Sequence, residues 1–92
     1  MKTNNAKAVV TVVGKDMVGI LAKVSAACAD AQANVVEVTQ SVLDEFFCMI
    51  MIIDIEKATM QIDQLQQSIS NSVPDMKVHV MHENIFNSMH RI

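Results

Sequence analysis

The stretch Val12-Val13-Gly14-Lys15-Asp16-Met17-Val18-Gly19-Ile20-Leu21 constrains this chain more than any other, because a β-branched run stops at a glycine and an amphipathic helical pattern follows. The chain has only two glycines, and both lie here. Gly14 reads as the end of a strand, where the backbone turns sharply. Gly19 falls in the first turn of the helical pattern, where glycine costs about 1 kcal/mol relative to alanine. Two explanations compete for that cost: close packing of the helix start on its own sheet, or close approach of a ligand to bare backbone N–H groups. Asp16 has two readings as well. As an N-cap its carboxylate accepts a hydrogen bond from the Gly19 N–H. Alternatively it faces the ammonium group of a bound amino acid, while the free N–H groups of the helix start face the carboxylate.

Ninety-two residues make one small domain, marginal by itself, so association with a second copy would help. The chain is 51% hydrophobic and only 18% charged, an excess of apolar surface that needs somewhere to go. Eight methionines without Trp or Tyr suit an irregular core. The net charge of −3, with scattered Lys and Arg and no aromatic platform, argues against nucleic-acid binding. The longest apolar run, Phe46 to Ile53, is far short of the ~20 residues that a membrane-spanning helix needs. The polar start Met1-Lys2-Thr3-Asn4-Asn5 lacks the apolar core of a signal peptide, so the expected location is the cytoplasm. Cys28 and Cys48 lie among apolar neighbours without CxxC spacing and read as buried thiols. His79 and His82 would face opposite sides of a strand, which argues against a metal site, and no cofactor is expected.

Taken in order, residues 1–6 read as a leader and Ala8-Val9-Val10-Thr11-Val12-Val13 as a strand apolar on both faces, hence central in a sheet. Ile20, Leu21, Val24, Ala27, Cys28 and Ala31 form one helical face. Asn34 suits the left-handed turn that often ends a helix, with the cap uncertain by one residue. Residues 35–43 alternate Val36, Val38 and Val42 against Glu37, Thr39 and Ser41, the pattern of a strand with a wet face or at an edge. Asp44-Glu45 is a hairpin gap without the favoured glycine. Phe46 to Ile53 is apolar throughout, so both faces of that strand need cover. Ile62, Leu65, Ile69 and Val73 mark a second helix that Pro74 ends, and Met76, Val78 and Val80 alternate in a fourth strand. Ile85, Phe86, Met89 and Ile92 share one helical stripe in the tail, fit either to cap the second face of the sheet or to dock on a partner. The order βαββαβ, with right-handed crossovers, predicts an α+β ferredoxin-like sandwich. Four antiparallel strands carry two helices on one face, with the first and third strands central.

The element order, the stretch Val12 to Ile20 and the pair Asn34-Val35 resemble the ACT domain family over residues 7–82. The ending over residues 84–92 resembles that of small bacterial proteins made of one ACT domain, which makes residues 83–92 a C-terminal helical extension. The resemblance implies pairing of two domains through the first helix and second strand into an eight-stranded sheet. It also implies a small regulatory ligand, typically an amino acid, at that pairing surface. Carried over by position, the ligand residues are Gly14, Lys15, Asp16, Val18, Gly19, Ile20, Asn34 and Val35. Many relatives have proline where Val18 stands, so the preset first-turn geometry is missing here.

Two functions remain in view. One is a free-standing regulatory homodimer that binds an amino acid and acts on a metabolic enzyme or regulator. The other is a docking module without a small-molecule ligand. An enzyme is not expected, since no nucleophile–base pair, metal motif or phosphate loop is present in the sequence.

Overall fold

The computed structural model describes residues 6–15 and 18–85. Six elements follow one another: β1 (Lys7–Lys15), α1 (Ile20–Asp30), β2 (Asn34–Leu43), β3 (Phe46–Asp54), α2 (Ile62–Ser72) and β4 (Lys77–His82). The strands form one antiparallel sheet in the order β2-β3-β1-β4, so the two strands that are apolar on both faces occupy the middle as expected. This is the βαββαβ ferredoxin-like sandwich that the sequence predicts. A helical turn over residues 83–85 follows β4, and the rest of the expected C-terminal helix lies outside the described residues.

The core lies between the sheet and the two helices. From β1 it takes Ala8, Val10 and Val12, and from β3 Phe47, Met49, Met51 and Ile53. The period of two in a strand sends Val9, Thr11 and Val13 to the opposite face. Ile20, Val24, Ala27 and Cys28 of α1 and Leu65 and Ile69 of α2 close the core from above. Methionine fills the centre: Met49 and Met51 are fully buried, in keeping with a flexible side chain's ability to fit between branched neighbours.

Both helix ends of the first crossover depart from the sequence expectation. The helix α1 closes with a Schellman motif, in which Ala33 N–H donates to Cys28 O at 2.9 Å and Gln32 N–H to Ala29 O at 3.0 Å. The left-handed residue is therefore Gln32, at φ 61°, and not Asn34, which already belongs to β2. At the other crossover, Gln64 Oε1 accepts the Gln61 N–H at 3.0 Å, half of a capping box built from glutamine instead of the usual Ser or Thr with Glu.

The two sheet edges differ. On β4, Gln66 of α2 reaches down so that its Oε1 accepts the Val80 N–H at 2.8 Å, covering part of that edge. Among the described residues no such cover lies over β2, whose residues are exposed except for half-buried Val38, and whose ladder is bulged at Val36. Val36 and Val42 are 49% and 60% exposed.

Gln32 holds a left-handed conformation that costs a side-chain-bearing residue about 1 kcal/mol. The substitution Gln32→Gly is therefore expected to stabilise the fold by about 0.5–1 kcal/mol, less the extra freedom that glycine gives the unfolded chain. Urea denaturation checks this through a raised midpoint at unchanged slope.

Candidate functional site

Past Lys15, the chain crosses from sheet to helix through residues 16–19. Asp16 and Met17 lie outside the described residues. Val18 is 94% exposed. Gly19 is the N-cap of α1, at φ 84° and ψ 10°, and its carbonyl accepts the first helical bond from Lys23 N–H at 3.0 Å. Among the described residues, no side chain caps this end. Among the described residues, then, no side chain satisfies the first-turn N–H groups, which a helix cannot satisfy internally.

This geometry corrects the reading of Gly19. It is not a residue of the first helical turn, so helix propensity does not penalise it, and the cap position given to Asp16 belongs to Gly19. A Cβ built on Gly19 would meet nothing within 4 Å, which removes helix–sheet packing as the reason for glycine. The positive φ suffices to explain it.

Gly14 has the opposite character. It lies inside β1, opposite Phe47, and does not have a positive φ. A Cβ there would collide with Met76 Sδ and come within 3.1 Å of Met76 Cε. Met76, buried just ahead of β4, lies against the glycine, so that a side chain at position 14 would have to displace its thioether end. Gly14 thus belongs to the core, a close-approach glycine and not a turn.

Asn34 and Val35 stand at the other end of the sheet. Asn34 pairs with Asp54, which in turn pairs with Lys7 at the start of β1, whereas Lys15 pairs with Phe46 beside the hairpin. At about 3.3 Å per residue, the length of β1 puts the two ends more than about 25 Å apart. Within one protomer, therefore, the fold brings together Gly14, Lys15, Val18, Gly19 and Ile20, and leaves Asn34 and Val35 far from them. Ile20 is 2% exposed and can contribute little besides its backbone.

Asn34 lines a polar cavity of about 350 Å³ with Gln32, Asp54, Glu56 and Lys57. One Asp54 carboxylate oxygen is already occupied by the Glu56 N–H, at 2.9 Å. Sequence reasoning missed this cavity because its residues come from two separate turns with no motif spacing. A second, open groove of about 410 Å³ runs between α1 and α2 past Lys23, Asp30 and Asn71. Burial pushes the Cys28 thiol up to about 11, so it stays protonated and inert at neutral pH, while Cys48 is only half-buried.

The element and strand order place the chain among the α+β ferredoxin-like sandwiches, and comparison with known proteins gives the family. The ACT domain family model matches residues 7–83, and the chain belongs to that family. It is 40% identical over 88 residues to a UPF0237 protein of Listeria monocytogenes, covering 94% of this chain and 99% of the relative. Among solved structures, it is similar to an ACT domain protein from Streptococcus pneumoniae, with a TM-score of 0.76 and 31% identity, covering 95% of this chain and all of the other. The regulatory subunit of aspartate kinase from Thermus thermophilus shares the fold at a TM-score of 0.64 and 19% identity, over 83% of this chain and 51% of that one.

The two glycines should respond differently to substitution. Gly19→Ala is expected to cost about 1 kcal/mol through backbone strain alone, and Gly19→Asn less, because asparagine tolerates the left-handed region. Gly14→Ala is expected to cost about 1–3 kcal/mol by overpacking, and most of that cost should vanish in a Met76→Ala background. A double-mutant cycle by thermal or urea unfolding measures both.

Proposed function

We propose that the protein is a free-standing, non-catalytic ACT-domain regulator that binds an amino acid at a site shared by two copies and transmits occupancy to a metabolic enzyme or regulator. One observation carries the reading: β2 is an uncovered edge with exposed Val35, Val36, Val42 and Leu43, while the opposite edge is partly covered by Gln66. An apolar edge of this kind invites strand addition, and a second copy of the same strand satisfies it symmetrically.

Antiparallel pairing of β2 with its twofold mate places residue 34 of one copy beside residue 43 of the other. That is the end of the sheet where the 14–20 crossover emerges. Asn34 and Val35, remote from the crossover within a protomer, then lie at the crossover end of the partner. The amino acid's carboxylate faces the open N–H groups of α1, where the helix dipole favours an anion, and Asp16 takes the ammonium group. The side-chain amide of Asn34 from the other copy closes the site. Regulation follows because a ligand held by both copies favours the paired state over the separated one. One protein of the same fold is itself described as a regulatory subunit, which is the setting proposed for this chain.

A thermal screen of free amino acids tests the reading. A ligand at a hundred times its Kd adds about 2.7 kcal/mol, which for a domain of this size raises the melting midpoint by more than about 10 °C. Asp16→Asn is expected to keep the fold and weaken binding. Mixing Gly19→Ala and Asn34→Ala copies should recover about a quarter of the wild-type sites, because each mixed dimer keeps one intact site. No shift with any amino acid at about 10 mM rejects the ligand in favour of a docking module.

A further inference from the structure

The polar cavity at the far end of the sheet lies where the α1–β2 turn meets the β3–α2 connection, and Gln32, Asn34, Asp54, Glu56 and Lys57 of one protomer line it. Backbone hydrogen bonds hold its walls together. Thr59 N–H and Thr59 Oγ1 both donate to Ala31 O, at 2.9 and 3.3 Å, and tie the connection to the end of α1. Ile55 N–H donates to Ala6 O at 2.9 Å and fixes the other wall to the start of β1. The Glu56 N–H occupies one Asp54 carboxylate oxygen, and among the described residues no other hydrogen bond reaches that carboxylate.

Gln32 holds φ 61°, where glycine or asparagine is cheaper, and its side-chain amide lines the cavity. Costly backbone conformations cluster where a ligand is clamped. The volume of about 350 Å³ is at the small end of ligand pockets, roughly 300–1,000 Å³. The lining is unlike the usual apolar one: two carboxylates, one ammonium group and two amides. An apolar molecule would leave these groups without partners. A simple cation would meet Lys57, and a simple anion would meet Asp54 and Glu56. A molecule that carries an ammonium group and a carboxylate at separate positions suffers neither repulsion and makes charge-assisted hydrogen bonds to both.

We propose that this cavity is a second small-molecule site, which takes a polar zwitterion of the amino-acid type. Asp54 and Glu56 receive its ammonium group, Lys57 its carboxylate, and the amides of Gln32 and Asn34 hydrogen-bond the polar part between. The site is complete in one copy, so the inference stands without the pairing through β2. Asn34 alone is common to both sites.

Amide NMR spectra of isotope-labelled full-length protein, titrated with free glutamine, serine and lysine to about 10 mM, test it. The expected result is a saturable shift at Gln32, Asn34, Glu56 and Lys57 with at least one of the three, and none there with leucine. Two blocked forms of the bound amino acid, the Nα-acetyl derivative without the cation and the carboxamide without the anion, should each bind about tenfold more weakly. In Lys57→Met the loss on blocking the carboxylate should vanish, while the loss on blocking the ammonium group stays. Gln32→Gly should weaken the same titration although it stabilises the fold. Asp16→Asn, aimed at the crossover, should leave the titration unchanged. No saturable shift at the cavity with any of the three, blocked forms that bind as well as the parent, or loss of the cavity shifts in Asp16→Asn would each overturn the proposal. Shifts confined to residues 18–20 would also overturn it, and would leave the amino-acid reading of the crossover intact.

Discussion

The structure depends on β1. It hydrogen-bonds to β3 from Lys7 to Lys15 and to β4 from Ala8 to Val13, and every other element is placed relative to it. Its residues are apolar toward the helices and largely apolar away from them, so the strand is stable only in the middle of a sheet. Once β1 is central, right-handed crossovers put both helices on one face, and the shortness of the β2–β3 hairpin leaves β2 outermost. The uncovered edge is thus a consequence of topology and not an accident of one loop.

The same arrangement separates the two glycines by role, although they lie close in sequence. Gly14 makes room for Met76, just ahead of β4. Gly19 turns the chain through the left-handed region into α1, and a Cβ built there meets nothing within 4 Å among the described residues. One glycine serves the core and the other the turn into the helix.

Strand order, helix faces and the central pair were legible because they rest on periodicity: alternate burial of Val10 and Val12 in β1, and of Val78 and Val80 in β4, is written in the residue types. The hairpin at Asp44-Glu45 was legible from polarity, although Asp44 takes the positive φ that glycine would take more cheaply. Backbone signs were not legible. Gln32 carries the left-handed turn against propensity, because buried Ala31 and Ala33 on either side fix the Schellman geometry. The role of Gly14 depends on Met76, distant in sequence, and no local pattern could reveal it. Likewise, Asn34 and Val35 were placed with the crossover by resemblance alone, and the single chain keeps them at the other end of the sheet.

Pairing through β2 is therefore the claim on which the functional account stands, and hydrogen exchange of the β2 backbone measures it without knowledge of the ligand. In an antiparallel ladder, alternate N–H groups of β2 point away from β3. If two copies join through this edge, those outward amides are protected at high protein concentration and lose their protection on dilution, while the inward amides stay protected throughout. Outward amides that exchange at the open-edge rate at every concentration would contradict the account.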